Sequence, residues 1–441
     1  MVGILRQYRR TPVALLTGGL LWWVLLVVAP GWCQPLQQAP ADLRTYINEA
    51  LQANPEIKRL AAQKKASREA IGPAGALDDP MLTFGFFNLP VNTFSFRQED
   101  MTQKTLGLSQ KIPFPGKRRL RSEVAAEQAR ADDFALLDKL NEIRARVIQT
   151  YWGLSLATSS QAITAKIKQF WEQVVKVAET RYATGQGLQA DVLQAQVELG
   201  NYLDRLLQWQ QQQESLQAEL NALRDKPVAA PVPTPAPLRP QVATPSAEEM
   251  LGLLDNRPQI KALKAQIQKQ AKVVALARKD YWPDVNLGVN YGFRENSAMG
   301  KRPDFFTSYV QISLPLWFRS KQAPRLREEQ AKQAAAQNAY QAAWNELAAA
   351  VKDRTNRLAR LAQQIRLYEQ GIIPQSQQAA LAALATYQVG SLDFARLVQT
   401  TIVGYEVELK YQEYLKEFEE NWAALEILVG QEVPRQSGDS R

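Results

Sequence analysis

The sequence predicts a mainly helical protein with a small β part, built from two tandem repeats of helix, strand, strand, long helix and helix. Three observations indicate this fold class. The two halves of the chain resemble each other, short segments alternate with period two, and long segments place apolar residues three or four apart. Of the 441 residues, 46% are hydrophobic and 22% charged, so the chain has enough apolar material to bury a core.

Four pairs of segments match in the same order, at an offset of about 203 residues. The pairs are NPEIKRLAAQKKA with RPQIKALKAQIQK, DPMLTFGF with WPDVNLGVNYGF, LGLSQKIPF with VQISLPLW, and RYATGQGLQADVLQ with TYQVGSLDFARLVQ. Residues 226–246 are rich in proline, which disrupts helices and central strands and predicts an extended linker between the halves. We therefore expect repeats over 42–225 and 247–430, and a flexible tail over 431–441.

The first 33 residues predict a cleaved signal peptide, because Arg6, Arg9 and Arg10 precede an apolar stretch over 13–29. A short membrane anchor is the alternative for this stretch. Cys33 is a candidate lipid attachment site at the mature N-terminus. Its neighbour Trp32 argues against acylation, because lipoprotein signals normally have a small residue there.

The composition excludes several classes of function. The chain has no histidine and a single cysteine, so histidine general bases, His/Cys zinc sites and disulfides within one chain are excluded. No nucleophile elbow, phosphate loop or dinucleotide fingerprint is present. We expect neither an enzyme nor a cofactor or metal site, and no nucleic-acid partner despite the net charge of +9.

Apolar and polar side chains alternate in four short segments. In DVNLGVNYGF one face carries only apolar side chains: Val285, Leu287, Val289, Tyr291 and Phe293. The opposite face is small or polar: Asn286, Gly288, Asn290 and Gly292. A half-buried soluble sheet would show this alternation, and so would a membrane barrel with apolar residues outside and polar residues inside.

The helical segments favour the barrel. Each half predicts an initial, a very long and a final helix, at about 42–76, 117–182 and 188–225, and at about 246–280, 321–386 and 392–429. The long helices carry apolar seams, such as Ile143, Val147 and Tyr151, between polar faces. At about 1.5 Å per residue, each long helix reaches about 100 Å, which suggests a hollow cylinder because slender helices leave little depth for a compact core.

Four strands per chain cannot close a membrane barrel, for which about eight strands are the practical minimum. Because unpaired strand edges are not tolerated in lipid, the barrel must be shared between chains. Two chains would supply eight strands and too little room for a pore. We therefore expect a trimeric 12-stranded barrel that continues into a helical barrel.

The segment QKIPFPGKRRLR, residues 110–121, predicts the junction between these two barrels. Pro113 and Pro115 cannot donate ladder hydrogen bonds, and Gly116 permits a sharp change of direction. The cations that follow suit the inner headgroup layer of a membrane. Pro315 begins the same arrangement in the second half.

The doubled plan, the IPFPGKRRLR junction and the turns YATGQGLQADVLQAQ and YQVGSLDFARLVQ resemble the TolC-like outer membrane efflux proteins. The resemblance covers about residues 42 to 430. The segment from DDPMLTFGF to GKRRLR is especially similar to the branch that works with heavy-metal RND-type pumps.

This resemblance implies a homotrimer in the outer membrane of a Gram-negative bacterium, with a helical tunnel across the periplasm. It implies a passive exit duct fed by an inner membrane pump through a periplasmic adaptor. Two alternatives remain, a periplasmic coiled-coil adaptor or scaffold and a type I protein secretion duct. An adaptor would normally have one helical hairpin, whereas this sequence predicts two.

By resemblance, the two glycine turns are the tip that contacts the adaptor, at Gly185, Leu188, Gly390 and Leu392. Both glycines fit the left-handed position that ends a helix, and Ser391 is a candidate cap for the next helix. Family members often narrow this tip with acidic rings, where this chain has Arg396 and Gln399. The gate is therefore expected to use contacts between chains that involve Tyr387, Asp393, Arg396 and Gln399.

Overall fold

The computed structural model describes residues 40–239, 242–297 and 300–435, so the predicted signal peptide and Cys33 lie outside the described residues. The first half contains α1 (Ala41–Ala53), α2 (Pro55–Glu69), α3 (Ile71–Gly75), β1 (Met81–Phe87), β2 (Gln103–Ile112), α4 (Lys117–Ala183) and α5 (Gln189–Leu223). The second half contains α6 (Ala247–Gly252), α7 (Pro258–Lys279), β3 (Val285–Phe293), β4 (Phe305–Ile312), α8 (Gln322–Leu367), α9 (Ile373–Gln388) and α10 (Phe394–Val429). None of the helices in these ranges combines the length and the hydropathy needed to cross a membrane.

The first very long helix agrees with the sequence prediction, since α4 is continuous for 67 residues. The second is interrupted, because a π-helical turn at Tyr368–Ile372 separates α8 from α9. Pro374 lies at the start of α9 and has no N–H to continue the hydrogen-bond ladder of α8. A proline explains why the second long helix changes its winding here.

The two initial helices were predicted as single segments, and this prediction is wrong at Pro55 and Pro258. Each proline is the first residue of a new helix. A backbone N–H at this position makes no hydrogen bond within the helix, so proline, which has no N–H, is tolerated there. The Asn54 side chain accepts a hydrogen bond from the Glu56 backbone N–H at 3.0 Å and so caps α2.

The four strands form one antiparallel sheet in the order β1-β2-β3-β4. Apolar residues pair across it in register, for example Phe84 with Leu106, Leu106 with Tyr291 and Tyr291 with Phe306. This face is exposed in the chain: Phe84 is 68% and Phe306 70% exposed. The alternation predicted from sequence is confirmed, and within the described residues its apolar side is not covered by helices.

The buried core follows the helices. α4 packs against α5, α7 and α10, and α8 packs against α7 and α10. Residues of the predicted seams are buried, namely Ile143, Val147, Tyr151 and Leu154 on α4 and Leu347, Val351, Leu358, Leu361 and Ile365 on α8. Burial of these residues agrees with the seams predicted from three- and four-residue spacing.

The described residues of the proline-rich linker form no helix or strand, as expected, but they are fixed against the helices. The Ala236 backbone N–H donates to the Tyr151 hydroxyl at 3.1 Å, and the Ser155 hydroxyl donates to the Ala236 carbonyl at 2.8 Å. Leu238 is buried. The linker is therefore part of the packed structure.

Residues 431–435, which the sequence predicts to be part of a flexible tail, pack on α10. Arg435 forms a two-pronged ion pair with Glu419 at 2.7 and 2.6 Å, and its guanidinium lies 4.9 Å from the Trp422 ring centre. The Val433 N–H donates to Glu426 at 3.2 Å. A planar guanidinium that binds a carboxylate with both prongs orders this part of the tail.

Candidate functional site at the hairpin tips

The turns that join α4 to α5 and α9 to α10 have the same geometry. Gly185 and Gly390 have φ values of 74° and 82°, the left-handed conformation predicted from sequence. The N–H of each glycine donates at 3.0 Å to the carbonyl three residues earlier, that of Tyr182 and Tyr387 respectively. Both turns therefore end their first helix with a glycine-based C-terminal motif.

The residue that caps α10 is Asp393, and the prediction of Ser391 is wrong. The Asp393 carboxylate accepts the Arg396 backbone N–H at 2.8 Å. Ser391 lies too early in the chain, and its own N–H closes the preceding helix by donating to the Thr386 carbonyl at 3.1 Å. The cap must directly precede the first helical residue, which is Phe394.

Most of the predicted docking residues lie at the surface of the turns. Gly185 and Gly390 are exposed, and Leu188 is 69% exposed. The helix pairs α4–α5 and α9–α10 form two hairpins that share a cluster of buried side chains, which includes Trp171 and Tyr387. Leu392 is half-buried against this cluster. Sequence analysis missed Val389, which is 77% exposed beside Gly390.

Arg181 joins the two turns, and sequence analysis missed it. Its guanidinium donates to the Tyr387 carbonyl of the second turn, and at 2.9 Å to the Gln186 carbonyl of the first. The guanidinium carbon also lies 4.6 Å from the centre of the Tyr387 ring. A sequence signal exists, because the first turn begins with Arg181 where the matching position of the second has Thr386.

Tyr387, predicted to make gate contacts between chains, is held inside one chain in this structure. It is 1% exposed, and its ring packs edge-on against Phe394 with 5.5 Å between ring centres. Its hydroxyl lies 3.4 Å from an Asp191 carboxylate oxygen. Burial raises the pKa of Tyr387, with the nearby Asp191 charge adding to the effect, so the hydroxyl remains a donor at neutral pH.

Arg396 and Gln399, the other predicted gate residues, are exposed on α10. The Asp393 carboxylate binds the backbone N–H of Arg396, and in the described part of the chain no ion pair joins the two side chains. A contact with a neighbouring chain remains a prediction.

Aromatic residues connect the same hairpins along their length. Trp171 stacks on Tyr202 with 6.3 Å between ring centres, and Tyr202 meets Tyr405 edge-on at 5.1 Å. The Tyr405 hydroxyl lies 3.0 Å from the Thr164 hydroxyl. These contacts cross between α4, α5 and α10, so movement of one hairpin at the tip is resisted by the other.

At the other end of α4, the predicted junction residues lie between strand and helix. β2 ends at Ile112, and Gly116 has a φ of 90° immediately before the helix. Pro113 and Pro115 flank Phe114, whose ring stacks on Trp282 with 5.1 Å between centres. Pro315 follows the end of β4 and precedes α8.

A buried ion pair fixes this junction. The Lys117 side chain is only 5% exposed, and its ammonium lies 2.8 Å from the Asp284 carboxylate and 3.5 Å from that of Asp280. Asp284 also accepts the Phe114 backbone N–H at 2.9 Å. Burial alone would raise the pKa of Asp284, but the bonds from Lys117 and Phe114 lower it, so the carboxylate is charged at neutral pH.

Within residues 40–239, 242–297 and 300–435, no group of three or more acidic or cysteine side chains is placed to hold a metal ion.

An antiparallel sheet with an uncovered apolar face, continued by long paired helices with joined tips, defines a class of membrane channel. Residues 46–224 and 252–431 match the family model described as "Outer membrane efflux protein". The chain belongs to this family. It is therefore an outer membrane channel with a large periplasmic portion, the exit duct of a tripartite efflux system.

Three similar proteins illustrate the match. The "Cobalt-zinc-cadmium resistance protein CzcC" of Cupriavidus metallidurans is 22% identical over 302 residues, 68% of this chain and 70% of its own length. A membrane protein from Pseudomonas aeruginosa has the same fold, with a TM-score of 0.78, 18% identity and coverage of 89% of this chain and 91% of its own. The outer membrane protein VceC of Vibrio cholerae also has this fold, with a TM-score of 0.76 and 20% identity. The match covers 89% of this chain and 97% of VceC.

Proposed function

We propose that three copies of this chain form the duct, with twelve strands in the outer membrane and a helical barrel in the periplasm. The observation that carries this proposal is the sheet. Its apolar face is exposed, and within the described residues β1 pairs only with β2 and β4 only with β3. Two open edges beside an apolar face suit lipid only if neighbouring chains pair with them.

The strand geometry supports three chains. Twelve strands spaced about 4.8 Å apart and tilted by about 40° enclose a backbone radius of roughly 12 Å. Eight strands from two chains would leave space only for side chains. The polar face, with Asn286 and Asn290, would then line a wet lumen.

The junction supports placement at the periplasmic edge of the membrane. Trp282 and Trp317 are exposed close to the ends of the strands, and Arg118, Arg119 and Arg319 follow in the same region of the chain. Tryptophan and arginine are favoured where hydrocarbon meets anionic headgroups. The turns at Gly185 and Gly390 lie at the far ends of the helices, away from the membrane.

At those turns the duct is closed by helix contacts and conducts when the tip widens, with no chemical step. Arg181 and the Tyr387–Asp191 contact would hold the two hairpins of each chain together. Asp393, Arg396 and Gln399, exposed on α10, would meet neighbouring chains around the axis. Solute would pass when both sets of contacts are released.

Two partners complete the proposed machine, a periplasmic adaptor at the hairpin tips and an inner membrane RND-type pump that supplies the energy. The name of the relative CzcC, together with the resemblance of the first strand region to the metal branch, supports heavy-metal cations as cargo. The cations would be carried as solutes rather than bound, because the duct is passive.

Adaptor docking predicts a specific loss of binding. Leu188→Glu, combined with Val389→Glu, should weaken binding of the adaptor of the same efflux system at least about tenfold, because charges replace two exposed apolar contacts. Binding is measured by biolayer interferometry with detergent-purified trimer. Val91→Glu, at an exposed apolar position between β1 and β2, is the matched control and should bind as the parent does. Equal binding by all three proteins would contradict docking at the tips.

The trimeric duct itself is tested by membrane fractionation and by gel migration before and after heating. We expect the chain in the outer membrane fraction, migrating as a trimer until heated. A wholly soluble monomer would contradict the proposal and favour the adaptor or scaffold alternative. A type I secretion duct would give the same trimer and be distinguished by export of a protein instead of metal cations.

A further inference from the structure

The residues buried within the strands of the sheet are three glycines, Gly107 on β2 and Gly288 and Gly292 on β3. All other positions of β1, β2, β3 and β4 are exposed or half-buried. A glycine has no side chain to bury, so a neighbour must cover its backbone. The covering side chains come from adjacent strands and are Asn290, Tyr309 and Gln103 respectively.

The three covering side chains lie flat across the glycines. A Cβ atom added at Gly288 would be 2.2 Å from the Tyr309 ring, and one at Gly107 would be 2.1 Å from the Asn290 amide oxygen. At Gly292 it would be 1.7 Å from the Gln103 amide oxygen. Side chains on a strand normally stand roughly perpendicular to the sheet, so these positions accept a flat side chain only because they are glycine.

Gly85 shows that glycine alone does not create this arrangement. It lies on the same face of the sheet, on β1, and the nearest atom to an added Cβ is the Thr105 hydroxyl oxygen at 3.6 Å. That is an ordinary contact, so alanine fits at Gly85. The three covered glycines therefore differ from a matched glycine in the same sheet.

Each glycine and its covering side chain lie on the polar face of the sheet. Leu287 and Val289 lie on the other, apolar face. We infer that Gly107, Gly288 and Gly292 set the width of the barrel lumen, because they let Asn290, Tyr309 and Gln103 lie against the inner wall instead of pointing to the axis. This inference rests on the proposed function, which places the polar face inside. Three phenols pointing inward would fill much of a barrel of roughly 12 Å backbone radius.

The charges on this face indicate why width matters. Lys111 is the only charged residue on the polar face of the four strands, and no carboxylate is present there. Rings of acidic side chains are the usual means of selecting cations in a pore. A nearly uncharged wall instead admits solutes by size, so the flat side chains set the size of the largest solute that passes the barrel.

The test uses a reporter cysteine at Lys111→Cys, an exposed position nearer to the junction than Gly288 and Tyr309. Intact cells are treated with polyethylene-glycol maleimides of graded mass, which reach this cysteine from outside only through the barrel. The parent chain, whose only cysteine is Cys33, gives the background. Outer membrane levels of each variant are measured in parallel.

Each further substitution is made in the Lys111→Cys chain, which is the reporter chain. We expect Gly288→Ala to prevent labelling by the largest maleimide that labels the reporter chain, while the smallest maleimide still reacts. Tyr309→Ala alone should be labelled by the same range of maleimide masses as the reporter chain. Gly288→Ala combined with Tyr309→Ala should restore that range. Gly85→Ala is the matched control and should label as the reporter does. If Gly288→Ala fails to reach the membrane, Gly107→Ala with and without Asn290→Ala provides the same comparison.

Two outcomes would overturn the inference. An unchanged size limit in Gly288→Ala and Gly107→Ala would mean that the glycines do not set the width. A larger limit in Tyr309→Ala would mean that the ring already points into the lumen. Failure of the proposed function looks different, because the reporter cysteine would then not be labelled through a size-limited path in any variant.

Discussion

Replacing Arg181 with alanine is expected to raise the closed-state conductance of the purified channel in planar lipid bilayers by about tenfold or more. Arg181 donates to carbonyls of both turns and covers the Tyr387 ring. Hydrogen bonds from a charged donor each contribute about 1.5–3 kcal/mol, and about 1.4 kcal/mol shifts an equilibrium tenfold. Loss of both bonds in each of three chains should therefore populate the open tip.

Three further variants define the mechanism. Arg181→Lys should behave like alanine, because one ammonium cannot span both carbonyls as the planar guanidinium does. Tyr387→Phe should have a smaller effect, since its hydroxyl is 3.4 Å from Asp191. Tyr182→Phe, at the matching exposed position of the first turn, is the control and should conduct like the parent. An Arg181→Ala channel with parental conductance would rule out this contact as a gate.

Breaking the buried ion pair at the junction is expected to remove most of the trimer from the outer membrane. In Asp284→Asn the Lys117 ammonium, whose side chain is only 5% exposed, loses its closer carboxylate and keeps only Asp280 at 3.5 Å. Removing a partner from a buried ion pair costs up to about 3–5 kcal/mol. The Phe114 N–H also loses its charged acceptor. The amount of trimer in the outer membrane and its dissociation temperature in detergent measure this effect.

The same junction supplies matched controls. Arg119→Ala removes an exposed ion pair with Glu123 from the first turns of α4 and should leave both measurements unchanged. Lys117→Met combined with Asp284→Leu removes both charges of the closer pair and should recover much of the trimer, because the buried ammonium is gone and the remaining carboxylate, Asp280, is 30% exposed and still 4.0 Å from Arg325. If Asp284→Asn trimers were as abundant and as heat-stable as the parent, the ion pair would not hold the junction.

Local sequence patterns predicted the strands and α4, because alternation and seam spacing depend on neighbouring residues along the chain. The initial helices were predicted too long, although Asn54 before Pro55 carries a start signal of its own. The helical periodicity on both sides of Pro55 masks that signal. The π-helical turn before Pro374 likewise has a local cause that helical periodicity alone conceals.

The candidate site was predictable in position but not in its contacts. Gly185 and Gly390 identified the turns, since few other residues tolerate a positive φ. The sequence distinguishes Arg181 from the matching Thr386 but cannot give its contact, because its partner Tyr387 is 206 residues away in sequence. Ser391 and Asp393 are both good caps by residue type, and only the backbone of the turn decides between them.

In the proposed trimer neighbouring chains complete the sheet, and cysteine cross-linking between its edge strands is the decisive measurement. Thr83→Cys on β1 is combined in turn with cysteine at Phe305, Thr307, Tyr309 or Gln311, which lie on the same face of β4. Within one chain these strands are three spacings apart, about 14 Å, which is beyond the reach of a disulfide. We expect at least one pair to give covalent trimers on a non-reducing gel. Monomers alone for every pair, from chains recovered in the outer membrane, would contradict it.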